Sequence, residues 1–199
     1  MELLTSRTII LASASPRRLD LLRQAGVEPR IFPVQVEEAG QLGGAGLDSP
    51  EQLVMANARL KARAALSRLA GTDALILGAD TLVYGRDRLL GKPWDPQEAR
   101  EMLALLSGAQ HSVFTGQCLI DAVSGAETAA CSQTRVSFAS LSRAEIAAYV
   151  ASGEPLDKAG AYGMQGLGGL FVDSISGDYS TVVGLSLPLL YKMVKRLAG

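Results

Sequence analysis

Residues 9–22 have the sequence IILASASPRRLDLL, in which an apolar run gives way to small hydroxylated residues, a proline and two adjacent arginines. The pattern predicts a buried strand, a loop and a leucine-rich helix. Ser15 suits the N-cap of that helix, and Pro16 suits its first position. Arg17 and Arg18 then fall in the first turn, where unpaired backbone N–H groups point outward. Because cations there oppose the helix dipole, the pair indicates an anion-binding site. The alternative, two solvated arginines on a surface helix, stays open on these residues alone.

The composition is that of an ordinary globular protein, with 48% hydrophobic and 20% charged residues among 199. We expect one domain over residues 1–199. The formal net charge is -1 without a long run of one sign, so we expect neither nucleic acid nor a membrane as a partner. The two cysteines match neither a disulfide framework nor a zinc spacing, and they predict reduced thiols in a cytoplasmic protein.

Helix caps and apolar runs predict the other elements. Together they indicate an α/β fold with a mixed sheet flanked by helices. The expected order begins with a strand at 31–36, a glycine-rich loop at 39–48 that suits a mobile flap or the rim of a cleft, a helix of roughly twenty residues capped by Ser49, and a strand at 75–77. It continues with a hairpin turning at 85–88, a helix capped by Asp95, paired strands at 111–122 and 127–138, a helix capped by Ser142, a glycine-rich loop at 157–169, a strand at 170–175 and a helix from Leu187.

Several common sites are excluded. His111 is the only histidine, which rules out an H-E-x-x-H zinc motif or a histidine-rich metal cluster, and we expect it to be structural. No G-x-x-x-x-G-K-[ST] motif is present, since Lys92 precedes a proline, and no G-x-G-x-x-G motif follows a strand. A P-loop and a Rossmann fingerprint are therefore absent.

Cations at predicted element ends are candidates for binding phosphate. Arg17 and Arg18 offer forked donors suited to bidentate contacts, whereas Lys61 and Lys92 offer compact point charges. A triphosphate needs several such groups. For each lysine, the alternative is a solvated surface charge.

Carboxylates and one amide complete the candidates. Asp80 is expected just past the end of an apolar strand, where a carboxylate needs a partner or a metal. Glu37 and Glu38 also follow a strand, so two or three carboxylates can converge on a divalent cation, although solvation stays the alternative for at least one of the pair. Gln165 lies among glycines and is either a surface residue or a reader of a nucleobase edge.

Five motifs follow one another over nearly the whole chain: Ser13-Ala14-Ser15-Pro16-Arg17-Arg18, Gly78-Ala79-Asp80-Thr81, Gly91-Lys92-Pro93, Leu106-Ser107-Gly108 and the run DKAGAYGMQG at 157–166. In order and spacing they resemble the Maf family of nucleoside triphosphate pyrophosphatases.

The resemblance implies hydrolysis of a nucleoside triphosphate between its α and β phosphates, with a divalent cation such as Mg²⁺ or Mn²⁺. It also implies an elongated mixed α/β fold with a deep central cleft, shared with the inosine triphosphatase group, and a cytoplasmic homodimer. The run at 157–166 is similar to the branch acting on dTTP and UTP, and modified pyrimidine triphosphates are further candidates. The alternatives are a pyrophosphatase of another base, such as 7-methyl-GTP, and a nucleotide-sensing regulator of septum formation without turnover.

The resemblance also implies roles for individual positions. Asp80 corresponds to the proton acceptor and to a metal ligand. One of Glu37 and Glu38 corresponds to the metal-binding glutamate, and we favour Glu37. The positions that set substrate choice are Arg17, Thr81 and Gln165, and those that bind phosphate are Ser13, Arg18, Lys61 and Lys92.

Overall fold

A computed structural model describes residues 7–40, 42 and 47–198 of the chain. None of the helices in these ranges has both the length and the apolar character that a membrane span requires. The strands are β1 (Thr8–Leu11), β2 (Arg30–Ile31), β3 (Ala74–Gly85), β4 (Arg88–Leu90), β5 (Gln110–Asp121), β6 (Glu127–Phe138) and β7 (Val172–Ser176), and the α-helices are α1 (Pro16–Gln24), α2 (Pro50–Leu69), α3 (Pro96–Leu106), α4 (Arg143–Ala151), α5 (Tyr179–Val183) and α6 (Leu187–Ala198).

The strands form one mixed sheet in the order β2-β1-β3-β5-β6-β7, with β4 paired to β3. β1 runs parallel to both β2 and β3, whereas the pairs β3–β4 and β6–β7 are antiparallel. β5 and β6 are neighbours joined by residues 122–126, a connection that is long enough only for an antiparallel pair. The predicted mixed sheet flanked by helices is confirmed, while the elongated outline and the cleft stay predictions.

The chain divides into two compact units. The first unit comprises Met1–Asp80, Thr115–Ser132 and Gly184–Gly199, and the second comprises Thr81–Phe114 and Gln133–Val183. The strands β3, β5 and β6 each begin in one unit and end in the other. That the whole chain acts as one domain stays a prediction.

In the first unit, the backbone of α2 lies very close to β3 and β5. A Cβ atom at Gly78 would stand 2.2 Å from a carbonyl oxygen of α2, and one at Gly116 would stand 2.4 Å from another. Only a residue without a side chain fits at either position. The two glycines therefore set the distance between the helix and the sheet.

Local capping fixes where most helices begin. Ser15 is the N-cap of α1 with Pro16 first in the helix, as predicted, although its hydroxyl makes no capping hydrogen bond. Ser49 and Ser142 form full capping boxes, and the Asp95 side chain accepts from a backbone N–H of α3. These starts are confirmed because each depends on residues within one helical turn.

Two predicted strands have different lengths in the structure. β2 ends at Ile31 because its partner strand β1 ends at Leu11, the residue paired with Ile31; the last bond between them is the one from the Phe32 N–H to the Leu11 carbonyl at 3.0 Å. β3 continues through Gly78 to Gly85, so the expectation that Asp80 lies past the end of a strand is wrong. The glycine accommodates the nearby helix and makes no turn.

Two other regions are a short helix that the sequence does not predict and the predicted flap, part of which lies outside the described residues. The short helix α5 was not predicted, since five residues show no periodicity; it follows Asp178, whose carboxylate accepts from the Ser180 N–H at 3.0 Å. The flap predicted at 39–48 includes residues 41 and 43–46, which lie outside the described ranges, so it stays a prediction.

His111 is buried in the second unit among aromatic rings. It is 3% exposed, its Nε2 lies 2.8 Å from the Tyr162 hydroxyl, and its ring meets that of Phe138 edge-on at 5.0 Å. Burial lowers the pKa of the imidazole to about 4. This environment agrees with the predicted structural role.

We expect the free energy of unfolding to fall by about 3 kcal/mol as the pH drops from 6.5 to 4, because the unfolded imidazole takes up a proton over that range and the folded one does not. The contribution is complete above pH 6.5, the ordinary pKa. Denaturant unfolding at several pH values should show a shallower slope for His111→Asn than for the native chain. Equal slopes would contradict a buried neutral histidine.

Candidate active site

Asp80 is held at both carboxylate oxygens by side chains of α2. Lys61 Nζ donates to Oδ1 at 2.8 Å, and Asn57 Nδ2 donates to Oδ2 at 2.9 Å. Asn57 and Lys61 are four residues apart, about one helical turn, so they lie on the same face of α2. They are only 3% and 9% exposed, respectively. The carboxylate is therefore fixed by two nearly buried partners.

These partners keep Asp80 ionised. Burial raises its pKa, but the charge and hydrogen bond of Lys61, the hydrogen bond from Asn57 and the charge of Arg18 lower the pKa further, so that it lies below its ordinary value. At neutral pH the group is a carboxylate that can accept a proton or bind a cation.

Glu38 is the member of the Glu37-Glu38 pair that contacts Lys61, with Nζ donating to its Oε2 at 2.9 Å. The next residue, Ala39, is bound by Asn57 at both backbone groups: its N–H donates to Oδ1 at 2.9 Å, and its carbonyl accepts from Nδ2 at 3.0 Å. Asn57 thus ties the glutamate-bearing segment to the Asp80 side. This geometry favours Glu38 as the second carboxylate of the site, whereas the role given to Glu37 stays a prediction.

The Lys61 ammonium is surrounded by acceptors of the chain itself. Besides the two carboxylates, the Ala79 carbonyl lies at 3.4 Å, so three acceptors face its three N–H groups. Binding phosphate would require Lys61 to release one of them. Its role as a phosphate ligand stays a prediction.

Arg18 is not the solvated surface arginine of the alternative interpretation. It is 9% exposed, its Nε donates to the Gly184 carbonyl at 2.8 Å, and its Nη1 donates to the Ser13 hydroxyl at 3.1 Å. Burial lowers the pKa of Arg18, and the negative charges of Asp80 and Glu38 oppose that effect. These carboxylates help to explain how a cation is tolerated in the first turn of α1.

The other predicted residues lie in the second unit. Thr81 begins the part of β3 that belongs to this unit, Lys92 is exposed after β4, and Gln165 is half-buried in the glycine-rich loop. The Gly160 N–H donates to the Gly91 carbonyl at 3.0 Å, which brings this loop to the segment that carries Lys92.

The predicted site residues thus form two sets. Hydrogen bonds and charges connect the predicted site residues that lie in the first unit. Arg17 is half-buried and precedes Arg18 in α1. The first set is Ser13, Arg17, Arg18, Glu38, Lys61 and Asp80, with Glu37 exposed in the same unit next to Glu38, and the second is Thr81, Lys92 and Gln165.

Asn57 is the residue of this network that sequence reasoning missed. Its signal is faint: a polar side chain four residues before Lys61, shortly after the apolar residues Leu53 and Val54 of α2. Only the fold shows that this position is buried and faces a carboxylate.

Asp80 and Glu38 together suit a hard divalent cation. In the described ranges, no group of three or more His, Cys, Asp or Glu side chains is placed to hold a metal. Mg²⁺ needs only one or two carboxylates when water and substrate phosphates complete its shell, so the residues fit such an ion. They do not supply the four ligands of a structural zinc site.

A fixed carboxylate with cations and a second carboxylate nearby defines a site suited to phosphate chemistry. The sequence matches the family described as Maf-like protein over residues 8–197, and the chain belongs to that family. It is 49% identical over 179 residues to a dTTP/UTP pyrophosphatase of Moorella thermoacetica, covering 90% of this chain and 89% of that one.

A dTTP/UTP pyrophosphatase of Bacillus cereus is 47% identical over 190 residues, covering 96% of this chain and 95% of the relative. Among solved structures, a nucleoside-triphosphatase described as a dITP/XTP pyrophosphatase, from Mycobacterium abscessus, is 16% identical with a TM-score of 0.42, covering 96% of this chain and 98% of that one. The latter likeness is too distant to bear on the site.

Proposed function

We propose that this protein is a nucleoside triphosphate pyrophosphatase that hydrolyses dTTP and UTP, and modified pyrimidine triphosphates of similar shape, to the monophosphate and pyrophosphate. The structural observation that supports it is the ionised Asp80 carboxylate, fixed between Lys61 and Asn57 beside Glu38. The substrate class is supported by relatives that are 47% and 49% identical over nearly their whole length.

The reaction needs an activated water and charge stabilisation. In our proposal, Asp80 orients a water molecule and accepts one of its protons. The water oxygen bonds to the α phosphorus as the bond from that phosphorus to the bridging oxygen breaks, and pyrophosphate leaves with the electron pair. Arg18, Lys61 and Lys92 stabilise the negative charge that develops on it, and the Ser13 hydroxyl positions a phosphate oxygen.

Asp80 and Glu38 would hold a divalent cation, Mg²⁺ or Mn²⁺. When bound, such an ion neutralises phosphate charge and makes a nearby water more acidic. The chain's own part is to keep both carboxylates ionised and at fixed positions through Lys61 and Asn57.

Substrate choice is assigned to Arg17, Thr81 and Gln165. A carboxamide such as that of Gln165 carries a donor and an acceptor on one group. It can therefore pair with the acceptor and the donor on the edge of a pyrimidine base. The family resemblance supports a cytoplasmic homodimer, for which light scattering should give twice the mass of 20.9 kDa.

Incubation with dTTP and Mg²⁺ or Mn²⁺ tests the proposal. We expect dTMP and pyrophosphate in equal amounts, and the corresponding monophosphate and pyrophosphate with UTP. Release of orthophosphate alone would contradict cleavage between the α and β phosphates. Preferred turnover of 7-methyl-GTP would indicate the other branch, and nucleotide binding without any turnover would indicate a sensing role.

The metal site is tested by a matched pair of neighbouring variants. Glu38→Gln keeps an oxygen for Lys61 but removes the charge, so we expect the metal concentration for half-maximal turnover to rise about tenfold or more. Glu37→Gln makes the same chemical change one residue earlier and should leave that concentration nearly unchanged. Titration of both variants with Mn²⁺ decides the assignment, and a larger effect at Glu37 would restore the expectation from the sequence.

A further inference from the structure

Glu154 anchors the glycine-rich loop from one side. Its Oε1 accepts from the Tyr149 hydroxyl at 2.9 Å and from the Gly168 N–H at 3.1 Å, and its Oε2 accepts from the Leu167 N–H at 3.1 Å. One carboxylate thus satisfies two backbone donors near the end of the loop. Sequence reasoning did not single out this residue.

Tyr149 anchors the middle of the same loop. Its hydroxyl accepts from the Gly163 N–H at 3.2 Å while donating to Glu154, and the residue is 4% exposed. Tyr149 and Glu154 therefore fix backbone N–H groups on both sides of Gln165. These belong to Gly163 before it and to Leu167 and Gly168 after it.

The glycines of the loop allow this close approach. A Cβ at Gly168 would stand 2.5 Å from the Tyr149 hydroxyl, and a Cβ at Gly166 would stand 2.8 Å from the Glu154 carboxylate. Gly166 also has a φ of +91°, which side chains disfavour. At Gly168 a Cβ would also stand 2.6 Å from the Gly163 carbonyl oxygen, so a side chain there would displace the backbone, and at Gly166 the positive φ disfavours one.

Glu154 makes these contacts as an anion. Burial raises its pKa, but the N–H groups of Gly168 and Leu167, the Tyr149 hydroxyl and the charge of Lys158 lower the pKa further, to below its ordinary value. Lys158 itself donates to the Glu154 backbone carbonyl at 2.6 Å and to the Asp157 carboxylate at 2.6 Å. Hydrogen bonds to a carboxylate are stronger than those between neutral groups, so the loop is held firmly.

We propose that Glu154, together with Tyr149, is a positioning residue for substrate choice, holding the loop so that Gln165 presents its carboxamide to the pyrimidine base. The inference rests on the proposed function, because it assigns base reading to Gln165. Glu154 acts through the loop and touches no substrate.

The main test is the Glu154→Gln variant assayed with dTTP and dATP, combined with Gln165→Ala. The substituted amide would keep one carbonyl oxygen, so one backbone contact would survive and the charge would be lost. We expect the KM for dTTP to rise about tenfold with kcat within about threefold, and the preference for dTTP over dATP to fall about tenfold. Glu101→Gln, an exposed change on α3, is the control and should alter neither value.

The double variant separates positioning from general damage. If Glu154 acts through Gln165, adding Glu154→Gln to Gln165→Ala should change the base preference by less than about twofold. Full multiplication of the two effects would overturn the inference, as would a Glu154→Gln enzyme that keeps its preference while Gln165→Ala loses it. If the native enzyme releases no pyrophosphate from any nucleotide, the proposed function fails and takes the inference with it.

Amide hydrogen exchange gives a readout independent of turnover. The N–H groups of Leu167 and Gly168 should exchange about tenfold faster in Glu154→Gln, with the amides of α3 unchanged. Unchanged exchange would overturn the anchoring role. Should Glu154→Gln fail to fold, Tyr149→Phe removes only the hydroxyl, and it should release the Gly163 N–H and lower the base preference in the same direction.

Discussion

Asp80→Asn is expected to lower kcat for dTTP by about 10³-fold, the largest loss of any single change that we consider, while nucleotide binding persists. An amide cannot take a proton from water at neutral pH, and it has lost the charge that a divalent cation needs. The shape is kept, and the amide oxygen can still accept from Lys61. However, the amide nitrogen would then face the Asn57 nitrogen, a donor against a donor.

The measurement is pyrophosphate release under saturating dTTP, with binding followed separately by calorimetry. Asp20→Asn is the control, since Asp20 is an exposed carboxylate on α1, and it should leave kcat unchanged. Full activity of Asp80→Asn would remove Asp80 from the mechanism. Loss of binding together with turnover would assign it to holding the substrate.

Lys61→Met is expected to have the second largest effect, lowering kcat about 10²-fold. Lys61 lies between the carboxylates of Asp80 and Glu38, whose side chains are 14% and 44% exposed, so its removal leaves two negative charges without their shared cation. We also expect the free energy of unfolding to fall by about 3 kcal/mol, because Asp80 would lose the cation of a buried pair, whereas the exposed Glu38 would add little.

Steady-state kinetics and denaturant unfolding measure both effects. Lys192→Met, on the exposed side of α6, removes the same charge elsewhere and should change neither. If Lys61→Met raised KM with kcat intact, the lysine would serve phosphate binding alone, and its contacts to the two carboxylates would be unimportant for turnover.

The sequence was informative wherever structure depends on near neighbours. The capping boxes at Ser49 and Ser142 place two helices because donor and acceptor lie three residues apart. The hairpin between β3 and β4 is also local and turns where the sequence predicts, at 85–88, although its central residues Arg86 and Asp87 both take the positive φ that glycine and asparagine adopt more readily.

What the sequence could not supply depends on contacts between distant segments. The strand predicted at 75–77 stops before Gly78, but Gly78 is itself a strand residue, and a side chain does not fit there because α2, which begins 28 positions earlier, packs against it. Whether Glu37 or Glu38 faces Lys61 depends on how Asn57 holds the backbone of Ala39. Charge and spacing in the sequence predicted Asp80 and the cations as site residues. Which of them contact one another is determined by tertiary packing.

The bond between Arg18 and the Gly184 carbonyl has a consequence for biosynthesis. It joins residues 166 positions apart, so this cation of the first helix gains its acceptor only after residue 184 has been synthesised and has left the ribosome. Nascent chains that stop before Gly184 would expose a buried guanidinium with that acceptor missing. A product truncated before Gly184 therefore cannot form this contact of the site.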